Sequence, residues 1–165
     1  MSNIIYVTGN ALTDPAKGSF VAHACNTKGV WGSGIALEAR HLYPGYYQTY
    51  RLLCRDRQFA DDLISTAQIM ISPSQKINIV NLFTSKNYGV HVDRPKTIIA
   101  NTRDALTDMF TQNPLIKTVC MPKINSGAFK VPWEATESVL REFDDKEFIV
   151  YTREIKTTKW PKDTF

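Results

Sequence analysis

The sequence predicts an α/β sandwich, a sheet covered by helices on both faces. Two patterns and one stretch carry that prediction. Short apolar, β-branched runs alternate with segments of helical period along most of the chain. Residues 20–24 form an apolar run suited to an interior strand. Directly after it, Gly29, Gly32 and Gly34 lead into residues 37–42, which read as the body of a helix. A strand, a glycine-rich loop and a helix start together make a place where backbone N–H groups can surround an anion.

Taken in order, residues 4–7 are the first strand, ended by the turn Gly9-Asn10, and residues 20–24 the second. The first helix runs from Ser33 or Gly34 to Leu42 and stops before the breaker pair Pro44-Gly45. A second helix is expected over residues 46–55. Residues 67–71 and 77–83 are two more strands, joined across Ser72-Pro73-Ser74-Gln75. Residues 85–95 lack a period and read as a loop. Ile98, Ile99, Leu106, Met109 and Phe110 mark a helix over residues 97–110, closed by Asn113-Pro114. Residues 117–121 are a strand, and residues 122–131 a second glycine-containing loop. Pro132 suits the first turn of a helix over residues 133–143. Residues 148–151 are the last strand, and the rest reads as a loosely held tail in which Trp160 could dock.

At 165 residues, one domain is expected, large enough to bury about 70% of its unfolded surface. With 43% hydrophobic and 22% charged residues the composition is that of a globular protein, against disorder or a low-complexity scaffold. No apolar run reaches the length of a membrane span, and the N-terminus has no signal-peptide pattern. Cys25, Cys54 and Cys120 are odd in number and far apart. They argue for a reducing, cytoplasmic setting and against a disulfide framework or zinc site. No metal or cofactor is expected. Of the net charge of +4, half lies from Arg153 onward, where Arg153, Lys156, Lys159 and Lys162 face only Glu154 and Asp163. The remaining body suits a small anionic ligand and lacks the dense basic stripe of a nucleic-acid surface.

The spacing Gly29-x-x-Gly32-x-Gly34 is neither a Walker A loop nor the dinucleotide fingerprint. A tight turn that needs glycine dihedrals would explain it equally well. The polar residues His23 and Asn26 beside the loop favour a function, namely a diphosphate on the loop with both side chains facing what is attached to it. The stretch from Met121 to Trp133 is a second possible phosphate cradle.

Read together, these segments resemble the macro domains, and among them the fungal ADP-ribose 1″-phosphate phosphatase branch. The resemblance is carried by Tyr6-Val7-x-Gly9-Asn10, by His23-x-Cys25-Asn26-x-x-Gly29-x-Trp31-Gly32-x-Gly34-Ile35-Ala36, and by Leu82-Phe83-Thr84-Ser85. Met121-Pro122-x-Ile124-Asn125-Ser126-Gly127-x-Phe129-x-Val131-Pro132-Trp133 continues it. It implies a three-layer α/β/α sandwich with a mixed central sheet over residues 1–152, leaving 153–165 as a basic C-terminal tail. It further implies removal of the terminal phosphate of ADP-ribose 1″-phosphate, a by-product of tRNA splicing. A monomer with no membrane or specific nucleic-acid partner is expected.

The resemblance places Gly9, Asn10 and Ala11 at adenine, where most macro domains have Asp in place of Asn10. Ala24, Cys25 and Asn26 then meet the substrate, Asn26 at the distal ribose. Trp31, Gly32, Ser33, Gly34, Ile35 and Ala36 match one loop around the diphosphate and distal ribose. Ile124, Asn125, Ser126, Gly127, Ala128, Phe129 and Lys130 match the other. Tyr151 packs on adenine or in the core. Lys130 stands where glycine is usual and meets an extra phosphate or water. The glycohydrolase branch uses a lysine and an aspartate where this chain has Ser85 and Phe129; with Lys86 one residue away but no substitute for the aspartate, covalent lysine chemistry is disfavoured.

His23 is the expected catalytic residue, as general acid or as nucleophile, because an imidazole titrates near working pH. Asp93 is a candidate to assist it, while His41, His91 and Cys25 are read as surface or packing residues. Two other activities fit the same residues: a reader that binds ADP-ribose without turnover, and a hydrolase of ADP-ribosyl esters or O-acetyl-ADP-ribose.

Overall fold

The computed structural model describes residues 2–56 and 60–153. The expected tail lies outside the described residues except for Arg153, and so does Trp160. Among the described residues the sheet has six strands: β1 (Ile4–Thr8), β2 (Phe20–Asn26), β3 (Ala67–Met70), β4 (Asn78–Ser85), β5 (Thr118–Met121) and β6 (Glu147–Thr152). Their spatial order is β1-β6-β5-β2-β4-β3. All pairings are parallel except the β3–β4 hairpin, so the sheet is mixed, as expected.

Four α-helices among the described residues cover it: α1 (Gly34–Leu42), α2 (Pro44–Arg55), α3 (Pro95–Gln112) and α4 (Trp133–Glu142). Because side chains alternate along a strand, each strand feeds two cores. Ala22, Val80, Leu82, Val119, Met121, Phe148 and Val150 pack with Leu106, Met109 and Leu140 on the α3/α4 side. Val21, Cys25, Ile79, Phe83 and Cys120 pack with Tyr46, Tyr47 and Tyr50 on the α1/α2 side. The buried residues of α2 are Tyr46, Tyr47, Tyr50 and Cys54, one stripe at helical spacing. No helix among the described residues is long and apolar enough to cross a membrane.

Some boundaries move. Pro44-Gly45 ends α1 at Leu42 as expected, and it also begins α2 two residues early: Pro44 is the first residue of α2, where a missing N–H removes no helical bond. Tyr43 closes α1 and opens α2. β2 and β4 run on to Asn26 and Ser85 because they pair along their length, with a register irregularity between Cys25 and Asn26. α3 begins two residues early, again on a proline, and the loop before it holds a 3-10 turn, Gly89–His91.

The parallel strands all end at one edge. β2 and β5 share one registered pair, Val21 with Cys120, and β2 then continues past the end of β5. Their loops leave on opposite sides, opening a crevice beyond the carboxyl ends of the strands.

Candidate functional site

The loop after β2 is built by Asn26. Its Oδ1 accepts from the N–H groups of Lys28 (3.0 Å) and Val30 (3.3 Å), and its Nδ2 donates to the Val30 carbonyl (2.8 Å). The Tyr50 hydroxyl reaches both the Asn26 carbonyl and its Oδ1. Trp31, fully buried, stacks on Tyr50 with ring centroids 5.0 Å apart and lies 5.4 Å from Tyr47. Its indole N–H has no regular hydrogen-bond partner among the described residues; the Cys25 sulfur beside it is a weak acceptor. Gly34 then starts α1 at φ +57, where a side chain is unfavourable. Ser33 makes no side-chain cap and the first turn has no acidic residue, so no carboxylate of that turn meets the leading N–H groups of α1.

The loop after β5 is built by Asn125, which holds φ +65. Its Oδ1 accepts from Thr84 (3.0 Å) and its Nδ2 donates to Thr102 (3.0 Å) and Thr136 (3.3 Å), three fully buried hydroxyls on β4, α3 and α4. The Asn125 carbonyl accepts from Val131, and Ser126 Oγ from its own position donates to the Lys123 carbonyl.

Between the loops lies a cleft of two lobes. The first has a volume of about 630 Å³ and the second about 480 Å³. Gly34, Ile35, Pro122 and Lys123 line both and so form the waist. Of the expected residues, the first lobe gathers Ala24, Cys25, Asn26, Trp31, Gly32, Ser33 and Ala36 from one side. Ile124, Asn125, Ser126, Gly127, Ala128 and Phe129 come from the other. The second lobe takes Gly9, Ala11 and Tyr151. A Cβ at Gly9 would clash with Asp14 Oδ2, so no larger residue fits there unless Asp14 moves.

Three expected residues line neither lobe. Asn10 stands just behind the second, its Nδ2 donating to Glu38 (2.8 Å) and its Oδ1 accepting from Leu12. Lys130 is exposed at φ +60, which explains why glycine suits this position. His23 departs furthest from expectation. Strand alternation sends it with Val21 and Cys25 toward α2, where it is 2% exposed. There Nε2 lies 2.6 Å from Asn81 Oδ1, and the ring meets Trp31 edge-on at 4.9 Å. Desolvation lowers its pKa to about 4 against the opposing bond to Asn81, so it is neutral at working pH. His23 thus packs beneath the loop and lines neither lobe.

The Cys25 thiol, pushed up by burial, lies 3.3 Å from both Asn81 Oδ1 and His23 Nε2. Asp93 accepts from the Lys86 N–H and from Asn87 Nδ2, bracing its own loop. His41, Lys86 and His91 are exposed and line neither lobe.

The sequence reading missed Val30, Tyr88, Gly89, Pro122 and Lys123 in the first lobe, and Glu38, Thr152 and Arg153 in the second. Lys123 had a visible signal, lying inside the second glycine-containing stretch. Glu38 and Arg153 form an ion pair across the second lobe, which needs the fold to be seen. Among the described residues no group of three or more His, Cys, Asp or Glu side chains is placed to hold a metal.

Crevice, loops and layers place the molecule among α/β domains that bind ligands beyond the carboxyl ends of a mostly parallel sheet. More narrowly, the chain belongs to the macro domain family, whose model matches residues 22–140. A relative named ADP-ribose 1″-phosphate phosphatase, from Candida albicans, is 38% identical over 160 residues, covering 90% of this chain and 98% of the relative. The macrodomain of Mycobacterium tuberculosis DarG shares the fold with a TM-score of 0.72 at 22% identity, covering 92% of this chain and 98% of that one. Thermosipho africanus DarTG, solved in complex with ADP-ribose, superposes with a TM-score of 0.70 at 13% identity, covering 99% of this chain and 44% of that one.

Proposed function

We propose that this macro domain is an ADP-ribose 1″-phosphate phosphatase, a phosphomonoester hydrolase that releases inorganic phosphate and ADP-ribose. The observation that carries the reading is the waist. Two lobes meet where the uncapped start of α1 faces Lys123, which suits a ligand whose halves are joined by a diphosphate. The second lobe, with Tyr151 and Ala11, suits adenosine. The first lobe, between the two glycine loops, suits the distal ribose and its phosphate, whose charge backbone N–H groups can meet. The choice of ADP-ribose 1″-phosphate among ADP-ribose derivatives rests on the relative from Candida albicans.

Both lobes are lined by residues of one chain, which supports a monomer. Three buried free thiols suit a reducing compartment. The withdrawal of His23 favours a second reading, a module that binds ADP-ribose without turnover. One assay separates them: phosphate release from ADP-ribose 1″-phosphate and acetate release from O-acetyl-ADP-ribose, beside calorimetry with ADP-ribose. Phosphate release at enzymatic rates is the expected result. Binding without release of either product selects the module, and no binding at all rejects both.

A further inference from the structure

Under the phosphatase reading, on which this inference rests, the reacting phosphate lies in the part of the first lobe that the second does not share. The leaving group is the sugar hydroxyl oxygen, and a sugar alkoxide leaves slowly unless it is protonated as the bond breaks. With His23 beneath the loop, another side chain must supply that proton.

The described titratable side chains that line the first lobe are Cys25, Tyr88 and Lys123. Lys123 also lines the second lobe and so belongs to the waist. The Cys25 thiol is buried and within 3.3 Å of Asn81 Oδ1, its bonding capacity directed away from the cleft. Tyr88 lines the first lobe alone, is 48% exposed, and its hydroxyl has no protein partner among the described residues. A phenol hydroxyl can both give and take a proton.

The loop that carries Tyr88 is braced. Asp93 accepts from the Lys86 N–H (2.8 Å) and from Asn87 Nδ2 (3.1 Å), while Ser85 Oγ donates to the Asn87 carbonyl (2.6 Å). The Thr27 hydroxyl donates to the Lys86 carbonyl and the Thr27 N–H to the Ser85 carbonyl. Thr27 follows Asn26, so the Tyr88 loop is tied to the root of the first glycine loop. Gly89, at φ +66, turns the chain immediately after Tyr88 and lines the same lobe.

We infer that Tyr88 is the proton donor to the leaving sugar oxygen. A water oxygen forms the new bond to phosphorus as the bond from phosphorus to the sugar oxygen breaks. The Tyr88 proton goes to the sugar oxygen, which departs as a neutral hydroxyl. The attacking water returns one proton to Tyr88 and keeps the other on phosphate, so substrate plus water gives ADP-ribose plus hydrogen phosphate. Cys25 and His23 take no part in the step.

The test is Tyr88→Phe, which removes one oxygen from an exposed side chain. Phosphate release from ADP-ribose 1″-phosphate is followed in the full chain, with calorimetry against ADP-ribose and a thermal melt as controls. The expected result is a fall in kcat of about 100-fold, with KM, ADP-ribose affinity and melting temperature unchanged. A Tyr88→Phe protein with wild-type kcat overturns the inference. So does a variant whose loss lies in KM and ADP-ribose affinity while kcat persists, because that makes Tyr88 a binding wall. A wild-type protein that releases no phosphate overturns instead the phosphatase reading itself.

Discussion

The loop after β2 and the loop after β5 approach the cleft from opposite layers, and each is pinned by an asparagine whose side chain bonds inward. Beneath the first lie rings: Trp31 stacks on Tyr50, and Tyr50 on Phe83 at 6.1 Å. Beneath the second lie hydroxyls, those of Thr84, Thr102 and Thr136 around the Asn125 amide. Rings contribute buried area and dispersion without much direction, so their failure is a cavity. Hydroxyls contribute direction with little area, so their failure is an unpaired polar group. One cleft is thus held by two kinds of support, which different substitutions should separate.

The largest effect is expected at Trp31. Trp31→Ala leaves a void under the first loop and should destabilise the protein by about 3–5 kcal/mol in urea unfolding. A loss below about 1 kcal/mol would mean that the ring stack is not the support.

Acid should find the same place. The folded-state pKa of His23 is lowered to about 4 from the ordinary 6.5, so the unfolded chain binds the proton more readily. Stability from neutral His23 is complete above about pH 6.5 and is lost as pH falls toward 4, by about 3 kcal/mol. Urea midpoints measured from pH 7 to 4 should show this limb in the wild type, and His23→Gln should flatten it.

At the second loop, Thr102→Val or Thr136→Val each strands one Asn125 N–H and should destabilise by about 1–3 kcal/mol. The two hydroxyls share one amide, so a double-mutant cycle should show non-additivity. Additive losses would mean that Asn125 does not join them. The smallest effect is expected at Lys130. Lys130→Gly removes a side chain held at φ +60 and should raise stability by about 0.5 kcal/mol, after the larger chain entropy of glycine is subtracted. A thermal melt resolves the sign.

Much of this architecture is local and was readable. Alternating strands and helices, the hairpin across residues 71–77 and the proline before α4 depend on neighbours in sequence. Both glycine loops were also visible, and the structure brings them to one cleft. Orientation was harder. Period-two alternation puts His23 on the face of Val21 and Cys25, but only the position of α2 tells whether that face is core or cleft. Asn26 and Asn125 looked free to meet a ligand because their partners, Tyr50, Thr102 and Thr136, lie on distant helices. Pro44 marks the stop of α1 as read, but its second role as the start of α2 was not legible, because one residue joins the two helices.

The place of β6 in the sheet has a consequence for biosynthesis. It lies between β5 and β1, and its pairing of Phe148 with Ile4 joins positions about 140 residues apart. Until residues 147–152 have left the ribosome, β1 has no strand beside it and β5 has an open edge, a surface that invites mispairing. The same strand brings Tyr151 and Thr152 to the second lobe. A nascent chain halted before Glu147 therefore has neither a continuous sheet nor a finished cleft, and catalytic competence waits for this strand to be made.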